Sequence, residues 1–162
     1  MVQQITHAQD INATPKQIWA VLVDVTRLPD WAYQNGRVPY PVEGRYGTEQ
    51  TEGVGTVWVG VTKNGGLATQ KVTVWEPYHT LAFELQPSEE AALPLSQINL
   101  LQLESLGDKT RVTWRLDWEA ETGFSLTSVM LMFAGNSIFE EMIAGSLANL
   151  KRLIEADDFE IP

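Results

Sequence analysis

GDKTRVTWRLDWEAETGFSLTSVMLMFAGNSIFEEMIAGSLANLKRLIEA, residues 107–156, changes its hydrophobic period part-way along. In its first third Val112, Trp114, Leu116 and Trp118 alternate with Thr113, Arg115, Asp117 and Glu119. A period of two puts the apolar set on one face and the polar set on the other, the pattern of an antiparallel sheet with one solvated side. After Gly123 the spacing lengthens. Val129, Met132, Asn136, Phe139, Ile143, Leu147, Leu150 and Ile154 recur at intervals of three and four. That is one stripe of a helix from about Ser125 to Glu155. At ~1.5 Å per residue the helix is roughly 45 Å long, enough to cross a domain. Gly135 and Gly145 inside it each cost about 1 kcal/mol against Ala and mark places for a bend or a close approach.

Working back toward the N-terminus, the middle of the chain reads as strands. Val57, Val59 and Val61 alternate in a run that ends at Asn64-Gly65-Gly66, and Asn-Gly between such runs signals a hairpin. Val72 and Val74 carry the return strand, closed by Glu76-Pro77. Leu81, Phe83 and Leu85 form the next, and Ile98 to Glu104 the one after. Residues 34–56 are punctuated by Gly36, Pro39, Pro41, Gly44, Gly47, Gly53 and Gly55, which reads as turns around short strands.

Before them, Gln3 to Asn12 alternates weakly, with Ile5, His7, Gln9 and Ile11 on one side. Thr14-Pro15-Lys16-Gln17 fits a capping box, with Pro15 at the first helical position where its missing N–H costs nothing. Ile18 with Leu22, and Trp19 with Val23, are spaced for a short buried helix. Thr26 to Trp31 is a second short turn or helix.

Composition bounds the function. A chain of 162 residues suits one domain, and 44% hydrophobic residues with six Trp, four Tyr and five Phe suit a packed interior or an aromatic-lined pocket. The absence of Cys excludes disulfides, thiolate nucleophiles and Cys-ligated metal. A net charge of −10, of which −6 falls in residues 119–162, opposes binding to nucleic acid or anionic membranes. No stretch approaches the ~20 apolar residues of a membrane span, so no integral membrane segment is expected. The start lacks a basic and apolar secretory pattern, and the expected location is the cytoplasm.

The order of elements and five stretches together resemble a known family. The stretches are INATPKQIWAVLVDVTRLPDW (11–31), GVGTVW (53–58), KVTVWEPYHTLAFEL (71–85), GDKTRVTWRLDWE (107–119) and SLANLKRLIEA (146–156). They resemble the START-like (helix-grip, SRPBCC) superfamily, in its polyketide cyclase/dehydrase branch. The resemblance covers nearly the whole chain. It implies an α+β helix-grip fold over residues 1–162. In that fold a curved antiparallel sheet of about seven strands wraps around a long C-terminal helix, with two short helices after the first strand. It implies an internal cavity between sheet and helix, in proteins that bind hydrophobic small molecules or act as cyclases or dehydratases. No catalytic motif carries over from it.

Candidate site residues follow from that hollow. Trp114 and Trp118 share the apolar face of one strand, and Phe83 lies on a neighbouring strand. Phe139 and Asn136 lie on the helix stripe opposite, where a buried Asn needs a partner. His7 shares a face with Ile5 and Ile11; it is either a satisfied histidine at the sheet edge or a polar group of the pocket. His79, after Pro77-Tyr78, belongs to a surface turn. The GVGT of 53–56 lacks the Lys-Ser/Thr of a phosphate loop and reads as a β-turn. No metal, nucleotide or other cofactor is expected. The reading favoured is a binding module, monomer or homodimer, for a lipid, quinone or polycyclic compound. The alternative is a cyclase or dehydratase using His7 or a buried carboxylate as acid/base.

Overall fold

In this computed structural model the described residues are 1–34, 37, 39–88, 91, 93–121, 125–156, 159 and 160. Gly36 and Gly123, used above as punctuation, lie outside them. Strand β1 (Gln3–Ile11) leads to helix α1 (Pro15–Leu22), a 3-10 turn (Val25–Arg27) and helix α2 (Leu28–Trp31). Strands β2 (Pro41–Tyr46), β3 (Val57–Thr62), β4 (Leu67–Glu76), β5 (Thr80–Leu85), β6 (Leu95–Ser105) and β7 (Thr110–Ala120) follow, then helix α3 (Leu126–Glu155). The seven strands form one sheet in the order β1-β7-β6-β5-β4-β3-β2, and every neighbouring pair is antiparallel. This is the α+β helix-grip arrangement that the sequence leads one to expect.

Local chemistry explains the boundaries. The Thr14 hydroxyl accepts from the Gln17 backbone N–H at 3.2 Å while the Gln17 side chain accepts from the Thr14 N–H at 2.9 Å. The capping box is therefore complete, and α1 starts there. Ser125 caps α3 in the same way, its hydroxyl accepting from the Ser128 N–H at 3.0 Å. Gly53 and Gly55 turn with φ of +84° and +93°, a conformation that suits Gly. Thr56 closes that turn by donating to the Gly53 carbonyl at 2.8 Å. Bulges interrupt the ladders at Pro41/Glu43 and at Val72/Val74. An extra residue there bends the strand and increases its twist.

The core lies between the inner face of the sheet and α3. Val112, Trp114, Leu116 and Trp118 of β7 are all buried, whereas Arg115 and Asp117 pair with each other on the outer face. From Phe139 onward the helix buries the expected stripe of Phe139, Ile143, Leu147, Leu150 and Ile154. The first half departs from expectation. It buries Ser128, Leu131, Gly135 and Ile138, while Val129, Met132 and Asn136 are exposed. Two neighbouring stripes both have spacings of three and four and both pass through Phe139. The true one contains Ser128 and Gly135, small residues that hydrophobic periodicity does not register. Gly135 is there because a Cβ would overlap the Trp118 ring.

Candidate functional site

The hollow results from where the helix lies. On the sheet, α3 packs chiefly against β1 and β7, at one end of the strand order. Over the inner faces of β3 to β6 a cavity of about 180 Å³ remains. Among the described residues the helix reaches it through Phe139, Met142 and Ser146, and the remaining wall comes from Leu22, Asp24 and Val25, from α2 with residues 32–33 and 39–41, and from Ala91 and Leu93.

Aromatic residues from separate elements form a continuous arc along this cavity. Trp58 of β3 meets Phe83 of β5 edge-on, with ring centroids 5.3 Å apart. Phe83 is in register with Asn99 of β6. The Asn99 Oδ1 accepts from the Trp114 Nε1–H of β7 at 2.9 Å. Trp31, the last residue of α2, meets Trp114 edge-on at 6.2 Å. All five residues line the cavity, and Trp31, Trp58, Asn99 and Trp114 are each 7% exposed or less. Edge-to-face aromatic pairs add about 0.5–1.5 kcal/mol beyond area burial, so this wall is stiff.

The wall facing α3 is tied to the helix. The Tyr33 backbone N–H donates to Ser146 Oγ at 3.0 Å, and its hydroxyl donates to Glu141 Oε1 at 3.2 Å. That hydrogen bond to a carboxylate is the main reason the Tyr33 hydroxyl titrates above its ordinary value. Gly145 lets the Tyr33 ring lie against the helix, since a Cβ there would overlap it. Arg37 donates to the second Glu141 oxygen at 2.6 Å.

Chemically the lining is poor in reactive groups. Among the described residues it includes no Lys, Arg or His. The one carboxylate among the described lining residues, Asp24, accepts from the Thr26 N–H at 3.1 Å and from the Thr26 hydroxyl at 2.6 Å, capping the 3-10 turn. Among the described residues, no three His, Asp or Glu are grouped to hold a metal ion.

Of the residues singled out from sequence, the structure brings three to the cavity: Phe83, Trp114 and Phe139. Trp118 is buried on the same face as Trp114 but away from the hollow. Its ring lies 5.0 Å from Phe139, and α3 covers it through Gly135. Asn136 is exposed rather than on the buried stripe, because the helix turns its Gly135 face to the sheet. Its amide oxygen accepts from Trp118 Nε1 at 3.1 Å and its amide nitrogen donates to Gln3 at 3.1 Å. His7 is half-buried beside Trp114 in the β1–β7 register and outside the cavity lining, on the edge strand that α3 packs along. His79 is exposed in its turn, as expected.

Sequence reasoning missed Trp31, Trp58 and Asn99. For Asn99 a signal existed: it has the same parity as Leu95, Leu101 and Leu103, the buried side of β6. For β3 the alternation of Val57, Val59 and Val61 marks the strand, but the cavity face is Trp58, Gly60 and Thr62. Nothing local distinguishes Trp31.

Comparison with known proteins agrees with this fold. Residues 2–155 match the family described as polyketide cyclase/dehydrase and lipid transport. No curated protein sequence matches the chain. Among solved structures, a Thermus thermophilus protein superposes with a TM-score of 0.70 at 16% identity, over 96% of this chain and 99% of that one. Norcoclaurine synthase from Thalictrum flavum gives 0.66 at 13% identity, over 96% and 88%. The Aha1 dimer from Colwellia psychrerythraea gives 0.61 at 21%, over 96% and 98%. At these identities the likeness shows the fold. Among the described residues no helix is long and apolar enough to cross a membrane.

Proposed function

The chain belongs to the polyketide cyclase/dehydrase and lipid transport family, and from that premise we propose that it binds a compact hydrophobic molecule in the cavity between β3–β6, α2 and α3. The observation that carries this reading is the rigid aromatic arc of Trp58, Phe83, Trp114 and Trp31 facing Phe139 across a hollow. Small-molecule sites are commonly concave and apolar with a few fixed polar groups. Size narrows the ligand. An apolar cavity of about 150 Å³ holds benzene, so one of about 180 Å³ suits a molecule of one or two rings. An extended lipid chain or a larger polycycle would project beyond this space. Binding is favoured over cyclase or dehydratase chemistry because His7 stands outside the lining and Asp24 is engaged by Thr26.

Native mass spectrometry of freshly purified protein, together with titration of ring compounds monitored by Trp emission, tests the proposal. Binding should saturate at one site. Trp114→Phe should diminish the emission change, whereas Trp118→Phe should leave it nearly intact. Each methylene buried until the cavity is full should add about 0.8 kcal/mol. If no one- or two-ring compound binds saturably, the reading fails.

A further inference from the structure

The cavity wall carries polar groups that its own fold does not use. Trp31 Nε1, Trp58 Nε1 and Asn99 Nδ2 are buried and have no hydrogen-bond partner among the described residues. The side chains that bear them are 5%, 7% and 2% exposed, and all three line the hollow. The Asn99 amide is oriented by chemistry. Indole nitrogen is a donor only, so the contact with Trp114 Nε1 at 2.9 Å must be made by Oδ1. That leaves the NH₂ of Asn99 as the unused end. The arc therefore carries unused hydrogen-bond donors on three different residues, one on α2, one on β3 and one on β6. Native interiors rarely leave such groups unmet, and each unmet buried donor is costly.

Resting on the binding proposal, we infer that the ligand is a neutral ring compound bearing an acceptor oxygen, a ketone or small quinone carbonyl, received by the N–H groups of Asn99, Trp58 and Trp31. The oxygen is uncharged because the described lining residues include no cation and do include the Asp24 carboxylate, which disfavours an anion. Gln70 contributes an amide whose Oε1 is also buried and unpartnered. A half-turn of that amide converts it from acceptor to donor, so Gln70 tolerates either kind of group on the ligand. The donors also give a sharp ranking. A purely apolar pocket prefers a hydrocarbon to the matched ketone, since burying an unpaired carbonyl is unfavourable. A pocket with waiting donors reverses that order.

The test uses tetralin, 1-tetralone and tetralin-1-carboxylate, three molecules of nearly the same shape, with dissociation constants from calorimetry. Tetralone should bind about tenfold more tightly than tetralin, and the carboxylate most weakly. The carbonyl stretch of bound tetralone should fall below its value in hexane. Asn99→Leu combined with Trp114→Phe, which removes the indole N–H that loss of Asn99 would leave unpaired, should lower the ketone preference severalfold. Trp58→Phe and Trp31→Phe keep the ring and remove only the N–H, and each should reduce the preference severalfold. These two serve if the Asn99 variant does not fold. Tetralin binding as tightly as tetralone, or an unshifted carbonyl band, overturns the acceptor inference and leaves the binding proposal standing. A carboxylate that binds best overturns the neutral assignment. Failure of all three to bind overturns the binding proposal itself.

Discussion

Trp114 and Trp118 stand four residues apart on the same face of β7, both buried, both donating an indole N–H to an Asn. Trp118 is core: Phe139 is beside its ring, and Gly135 removes the side chain that would otherwise hold α3 away. Trp114 is wall: its Asn partner comes from β6, Trp31 meets its edge, and cavity space adjoins it. One strand thus passes from a closed end, where helix and sheet touch, to a hollow end, where they part. The contrast shows that a residue's type and parity place it inside, while the position of the opposing element decides whether inside means packed or open.

The strongest way to break the contrast is at the residue shared by both ends. Phe139 packs on Trp118 and also lines the cavity. Phe139→Ala should cost about 3–5 kcal/mol of stability, as large-to-small changes of buried aromatics do. It should also enlarge the hollow so that three-ring compounds bind. Urea unfolding and a ligand-size series check both parts. Loss of stability without a change in size preference would mean that Phe139 does not bound the cavity.

A smaller effect is expected from Gly135→Ala, which acts on the closed end alone. Ala gains about 1 kcal/mol of helix propensity over Gly. Its methyl group must nonetheless displace the Trp118 ring, and overpacking typically costs about 1–3 kcal/mol. Net destabilisation should appear in urea unfolding, with dissociation constants for compact ring ligands within about twofold of the parent. A more stable variant would show that helix and sheet do not touch closely there.

The smallest effect concerns pH. Hydrogen bonds from Arg111 and Arg115 hold the carboxyls of Asp10 and Asp117 below the usual carboxylate range. Arg111 reaches Asp10 across the β1–β7 pairing, at 2.9 and 3.2 Å. A depressed folded value means that these groups stabilise the fold above about pH 4 and lose that contribution as pH falls through the folded value. Asp10→Asn should flatten this part of the acid stability profile slightly, because exposed ion pairs are screened. If it leaves the profile below about pH 4 unchanged, the Arg111 pair contributes nothing to holding β1 on β7.

Much of the architecture was legible from local pattern. The alternation at 112–118, the capping box at Thr14 and Gln17, and the apolar spacing from Phe139 to Ile154 each specify an element and its buried face. Phe83, Trp114 and Phe139 were reachable by the same reasoning, because strand parity and helix period determine which side chains point inward. Asn136 was not placed correctly, since Ser128 and Gly135 leave the true stripe without a hydrophobic signal. Trp31 and Trp58 carry no local mark of a cavity wall.

What the sequence determined by itself, then, was most of the elements, the inward faces of β7 and of the later half of α3, and the absence of cysteine chemistry, all of which depend on residues close together in the chain. Only the tertiary structure decided where the hollow is. Pairing of β1 with β7 joins residues more than a hundred positions apart, such as Ile5 with Leu116, and α3 packs chiefly over that pair. Gly135 against Trp118 closes the contact at one end. The inner faces of β3 to β6 are consequently not packed directly by α3, and the hollow remains between them, α2 and the middle of α3. Hydrophobic periodicity records that a face avoids water, but it does not record whether another side chain or a ligand covers it.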